Sequence, residues 1–112
     1  SSLLLAMMSS GLNGQNFAFN GYLPIDKQVR RKTLKILERK VQEGQSQLFI
    51  ETPYRNQQLL SDLIETLQPD TLLCIATDLT LPTESIRTLP IRQWKHTSVD
   101  LQKRPTLFII GR

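Results

Sequence analysis

Ser46-Gln47-Leu48-Phe49-Ile50-Glu51-Thr52-Pro53-Tyr54-Arg55-Asn56-Gln57-Gln58-Leu59-Leu60 is the stretch on which the fold turns. Leu48, Phe49 and Ile50 form a short apolar run suited to a buried strand. The run stops at Thr52-Pro53. A Thr hydroxyl there can accept from an orphan amide, and Pro fits the first helical position because its missing N–H had no partner to lose. Leu59, Leu60, Leu63, Ile64 and Leu67 then recur at helical spacing. The stretch reads strand, sharp turn, helix, with Glu51, Thr52, Tyr54 and Arg55 gathered at the turn. Ligands of open α/β sheets sit beyond the carboxyl ends of the strands, so this turn is the first candidate site.

Toward the C-terminus, residues 71–79 read as a buried strand after a Pro69-Asp70 turn. Residues 84–88 alternate polar and apolar like an edge strand. Residues 90–95 make a short helix anchored by Ile91 and Trp94, and His96 falls in the loop that follows. Residues 97–104 are a polar loop, and 105–111 the last buried strand. Toward the N-terminus, residues 3–9 form a short helix with an apolar stripe of Leu3, Leu4, Met7 and Met8, ended by Gly11. Residues 16–23 are a strand with Phe17 and Phe19 on one face. Asp26 is placed to cap the longest helix, 27–43, which Gly44 closes. Its apolar stripe is Val29, Leu34, Leu37 and Val41, and Lys27, Arg31, Lys32, Lys35 and Arg39 lie on the solvated side. The order α-β-α-β-α-β-β-α-β predicts an α/β fold, a mixed sheet of roughly five strands flanked by helices.

With 112 residues and 39% hydrophobic content, the chain fits one globular domain. A single cysteine, Cys74, excludes an internal disulfide and reads as a core residue, which makes the cytoplasm the default compartment. Cys74 and His96 cannot build a metal site, so no metal is expected. The apolar run 3–8 is too short to span a bilayer. Residues 26–43 carry seven basic and three acidic side chains, a net of +4 that equals the charge of the whole chain. The bland reading is a soluble helix face; the sharper one is an electrostatic footprint for a polyanion such as RNA. No Gly-rich phosphate loop or hydrolase motif is present. Glu51 and Asp78, both at strand ends, are the carboxylates that general acid–base chemistry would draw on, if they approach each other.

Several segments resemble the second half of the tetrapyrrole (corrin/porphyrin) methylase family. They are Ser1-Ser2, Gly11-Leu12, Phe17-x-Phe19-x-Gly21-Tyr22-Leu23-Pro24, Arg30-Arg31, Leu37, Phe49-Ile50-Glu51-Thr52-Pro53-Tyr54-Arg55, Ala76-x-Asp78-Leu79-Thr80 and 105–111. Within the family the chain is most similar to the branch that methylates a ribose hydroxyl of small-subunit ribosomal RNA. It departs from that branch at Thr77-Asp78, where an Arg-Glu pair precedes Leu-Thr, and at Tyr54, where His is commoner.

The resemblance implies the C-terminal half of a two-domain methyltransferase that binds S-adenosylmethionine between its domains. Residues 1–15 would be the end of the interdomain linker and a short helix, and residues 16–112 the C-terminal domain. The N-terminal cofactor-loop domain would be a partner outside this fragment, and a homodimer is common in the family. By position, the resemblance assigns Ala18, Thr52, Ala76, Thr77 and Thr106 to the cofactor. It also assigns Arg30, Arg31, Lys35 and Arg55 to RNA contact and suggests Glu51 as catalytic base. A tetrapyrrole is the alternative substrate, and a non-catalytic binding or assembly domain the alternative role.

Overall fold

A computed structural model describes residues 2–112; Ser1 lies outside the described residues. The elements are α1 (Ser2–Ser10), β1 (Phe17–Tyr22), α2 (Lys27–Gln42), β2 (Ser46–Ile50), a single 3₁₀ turn (Pro53–Arg55), α3 (Asn56–Thr66), β3 (Leu72–Thr77), β4 (Ser85–Pro90), α4 (Ile91–Trp94) and β5 (Thr106–Gly111). They form one five-stranded sheet in the order β1-β2-β5-β3-β4. The β1 and β2 strands are parallel, joined by the α2 crossover, while β5 runs antiparallel to both β2 and β3. β4 is an edge strand, as its alternation predicts.

The alternating faces of the strands divide the core in two. Phe49, Leu73, Ile75, Phe108 and Ile110 pack with α2, α3 and α4, where Phe49 and Phe108 stack at 5.9 Å between ring centroids. Leu48, Cys74, Ala76, Leu107 and Ile109 face Ala6, Met7 and Leu12 of the α1 segment. Trp94 donates its indole N–H to the Leu73 carbonyl at 2.9 Å, which satisfies the one polar atom of a buried ring.

The local signals at α2 are realised. Asp26 Oδ1 accepts from the Val29 amide at 2.9 Å. Gly44 takes φ +104°, a left-handed turn that favours glycine, just past the helix end. Three expectations are corrected. Val29 points out to solvent, and Arg30 and Glu38 join Leu34, Leu37 and Val41 on the buried side. In α1, Leu3 and Met7 face the sheet, but Leu4 and Met8 are exposed, because only one side of a helix this short meets the strands. Thr52 does not cap the turn through its hydroxyl; the Glu51 carboxylate accepts the Thr52 amide instead, at 2.8 Å.

Because Phe108 fills the middle of the central strand, Phe108→Ala should cost about 3–5 kcal/mol in denaturant unfolding. Phe17→Ala, on an exposed position of edge strand β1, should change stability by less than about 0.5 kcal/mol.

Candidate functional site at the strand ends

The carboxyl ends of β2 and β3 lie at one edge of the sheet, with the amino end of β5 between them. A cleft of about 290 Å³ opens there, lined by Ile50, Ala76, Asp78, Pro105, Thr106 and Leu107 together with residues of α1 and the loop after β3. Ala76 presents only a methyl group to it, and Pro105 has no amide hydrogen. The small floor allows a ligand close to the backbone.

Asp78 braces one wall of the cleft. It adopts φ +51°, and Thr80 φ +69°, so the chain turns sharply out of β3. The Asp78 carboxylate accepts from Thr83 Oγ1 at 2.8 Å and from Arg104 Nε at 2.9 Å. Arg104 also donates to the Thr83 and Asp100 carbonyls, so one side chain ties the 97–104 loop to the turn after β3. The Thr83 hydroxyl first, and then Arg104, hold the Asp78 carboxyl below its ordinary value. The Cys74 thiol, buried in the core, is pushed up by desolvation and stays protonated, in keeping with a packing role.

A second groove, of about 400 Å³, lies between the loop after β1 and the turn after β2, lined by Tyr22, Leu23, Pro24, Glu51, Thr52 and Arg55 among others. Glu51 is buried there. Its Oε1 accepts from the Thr52 amide and from Arg55 Nε at 3.3 Å. Its Oε2 stands 3.6 Å from Arg30 Nη1 and accepts no hydrogen bond. Arg30 in turn is bound to Asp62 of α3.

The structure therefore sorts the residues assigned by the resemblance. Ala76 and Thr106 line the cleft. Thr52 lines the groove, with its hydroxyl unpartnered. Thr77 ends β3 but shares the face of Leu73 and Ile75, and its hydroxyl reaches the Ser85 carbonyl. Ala18 pairs with Gln47 near the start of β2, away from both openings. Among the basic residues, Lys35 is exposed, Arg31 pairs with Glu65 and Arg55 is partly exposed on the groove. Arg30 is the exception: at 4% exposure it is an interior cation rather than a surface one.

Glu51 and Asp78 do not meet. The intervening strand β5 holds them two strand spacings apart, roughly 10 Å, Glu51 engaged by Arg30 and Arg55 and Asp78 by Arg104. Sequence reasoning missed Arg104, which no local pattern marks, and Tyr22 as a groove residue. No group of histidine, cysteine and acidic side chains fit to hold a metal ion occurs among the described residues. No helix among them is long and apolar enough to cross a membrane.

No family profile matches the chain. Solved structures do. The methyltransferase CobJ aligns over 98% of this chain and 47% of its own, with a TM-score of 0.66 at 18% identity. Uroporphyrin-III C-methyltransferase from Thermus thermophilus, solved with S-adenosyl homocysteine, aligns over 96% of this chain and 49% of its own, with a TM-score of 0.54 at 14% identity. The fold is thus the α/β domain of such methyltransferases. By sequence, the ribosomal RNA small subunit methyltransferase I of Buchnera aphidicola (subsp. Schizaphis graminum) is 31% identical over 83 residues, which cover 74% of this chain and 28% of the relative. That of Pseudomonas aeruginosa is 28% identical over 92 residues, 82% of this chain and 32% of the relative. The chain spans about a third of the length of these curated relatives. The resemblance to the tetrapyrrole methylase family thus finds its likeness in relatives and solved structures that are methyltransferases.

The depressed Asp78 value fixes the sign of one prediction. A carboxylate with a lowered folded value stabilises above its ordinary value of 3.8 and loses that contribution as pH falls through the folded value. Asp78→Asn should therefore melt earlier than wild type at pH 7, and the gap should close in thermal scans taken progressively below the ordinary value. A gap independent of pH would show that the carboxylate charge contributes nothing.

Proposed function

We propose that this domain supplies half of a cofactor cleft in a two-domain S-adenosylmethionine-dependent methyltransferase, cytoplasmic, acting on a ribose hydroxyl of ribosomal RNA. The observation that carries this reading is the strand-end cleft, which gathers Ala76 and Thr106 from the residues that the resemblance assigns to the cofactor. Its volume of about 290 Å³ lies at the lower bound for small-molecule sites, as expected of one wall of a larger site. The small, largely apolar lining fits an adenosine bound against main-chain groups. An N-terminal domain would supply the other wall, and a homodimer is the assembly we expect.

When bound, the cofactor supplies an electrophilic methyl group for in-line displacement by a nucleophilic oxygen. What the chain supplies is alignment and exclusion of water. Ala76 and Thr106 would set the depth of the ligand, and the Asp78–Arg104 clasp would keep the wall at Leu79–Leu81 in place. Glu51 remains our candidate to accept the hydroxyl proton, since its Oε2 has no hydrogen bond to give up.

Three measurements test this. Calorimetric titration of S-adenosylmethionine should show binding to the full-length parent and none to the isolated 112-residue chain. In the parent, Ala76→Val, which raises the cleft floor, should weaken cofactor binding about tenfold, or ~1.4 kcal/mol. Glu51→Gln should lower turnover far more than cofactor affinity. Full turnover in that variant would remove Glu51 from the chemistry, and absent cofactor binding by the parent would remove the methyltransferase reading itself.

A further inference from the structure

The groove beside the Thr52–Arg55 turn has a composition that the cofactor cleft does not explain. Arg55 is anchored there in a fixed pose: its Nε binds Glu51 Oε1, and its guanidinium lies 5.2 Å from the centroid of the Tyr54 ring. Its two Nη groups have no partner among the described residues. A guanidinium held by Nε with both Nη free is a fork presented to an oxyanion.

Tyr22 stands on the facing wall, 64% exposed. It is held there by a register shift in the β1–β2 pairing between Phe19 and Tyr22, around Gly21 at φ +64°. The shift keeps Tyr22, paired with Ile50, on the same sheet face as Phe19, paired with Leu48. Between Tyr22 and Arg55 the groove is bordered by Glu51 and Thr52, whose Oε2 and Oγ1 are shut off from solvent, Oε2 standing 3.6 Å from Arg30 Nη1 and holding the floor in place.

We infer that this groove holds one nucleotide of a single-stranded RNA substrate, with the base stacked on Tyr22 and the phosphate on the Arg55 fork. The inference rests on the RNA reading above and deepens it by giving the RNA a place. A π-face and one oxyanion fork match one nucleotide. They do not match a macrocycle bearing many carboxylates, which would meet a single free cation beside the buried Glu51 carboxylate. The groove wall at Ile25 leads through Asp26 into α2, which carries Lys35 among its exposed residues. The strand can thus continue along further phosphate contacts.

The test uses the full-length protein and two ligands side by side: a short, fluorescently labelled single-stranded oligouridylate followed by anisotropy, and S-adenosylmethionine followed by calorimetry. Tyr22→Ala should weaken RNA binding about 5- to 100-fold and leave cofactor affinity unchanged, while Tyr22→Phe keeps RNA affinity within about twofold of wild type. Arg55→Gln should weaken RNA binding and reduce the slope of log affinity against log salt by about 0.7; Arg55→Lys should restore the slope but not the full affinity. Unchanged RNA affinity in both Tyr22→Ala and Arg55→Gln would overturn the inference. So would parallel loss of RNA and cofactor, which would make the groove part of the cofactor site. A wild-type protein that binds cofactor and an anionic porphyrin precursor but no RNA would overturn it together with the RNA reading. A protein that binds no cofactor would overturn only the methyltransferase reading, leaving the Tyr22 and Arg55 effects on RNA to decide this one.

Discussion

The Arg30 guanidinium, buried between Asp62 and Glu51, is the interaction on which the rest of the domain depends. It joins three elements that touch the site: α2 provides the cation, α3 one carboxylate, and the turn after β2 the other. A charge taken out of water costs several kcal/mol unless paired, and removing one partner of such a group typically costs about 3–5 kcal/mol, a large share of a domain's net stability of roughly 5–15 kcal/mol. The sequence could have filled these positions with apolar residues at little cost in stability. What the charges add is direction. Glu51 must face Arg30 and Arg55 together, which fixes the turn that both the cleft and the groove border. Gln58 extends the same arrangement by donating to the second oxygen of Asp62 at 3.2 Å.

A second clasp does the same work on the other flank of β5. Asp78, Thr83 and Arg104 join the turn after β3 to the loop before β5, and Asn56 at the start of α3 donates to the Arg104 carbonyl at 2.8 Å. The two clasps sit on either side of the inserted strand, whose antiparallel course brings Pro105 and Thr106 to the carboxyl ends of β2 and β3. The strand-end edge of the sheet is thus a set of loops tied down by buried or half-buried ion pairs, with small side chains left between them.

These are also the features that the sequence disclosed least. Strands and helices were legible because their signals are local: the apolar run at 48–50, the helical spacing from Leu59 to Leu67, Asp26 before α2 and Gly44 after it. The candidate turn was legible for the same reason. Arg30 was not, since an arginine in a basic helix is by default a surface residue, and its partners Glu51 and Asp62 lie far along the chain with no pattern to link them. Thr52 was misread as a cap because the Arg55 amide, which a capping hydroxyl would take, is bound instead to the Thr52 carbonyl at 2.8 Å. Arg104, in a loop without periodicity, carries no local mark of its pairing with Asp78. Of the residues the resemblance assigns to the cofactor, Ala76 and Thr106 border the cleft, whereas Thr77, next to Ala76 in the strand, turns its side chain to the opposite face from Ala76.

The charge of α2 looks different once its partners are known. Seven basic residues on one segment suggested a broad polyanion footprint. Arg30 is spent inside the protein, and Arg31 and Lys27 are both drawn to Glu65. What remains free along the helix is Lys32, Lys35, Arg39 and Lys40, all exposed. Free cations of this kind attract any polyanion through counterion release and give little selectivity. Selectivity has to come from a place where charge, shape and hydrogen bonding coincide, and on this surface Arg55 is the cation for which they do. It is oriented by a buried carboxylate, flanked by Tyr54, and faces Tyr22 across the groove. The helix supplies attraction; the turn after β2, held by Arg30 from beneath, supplies the geometry.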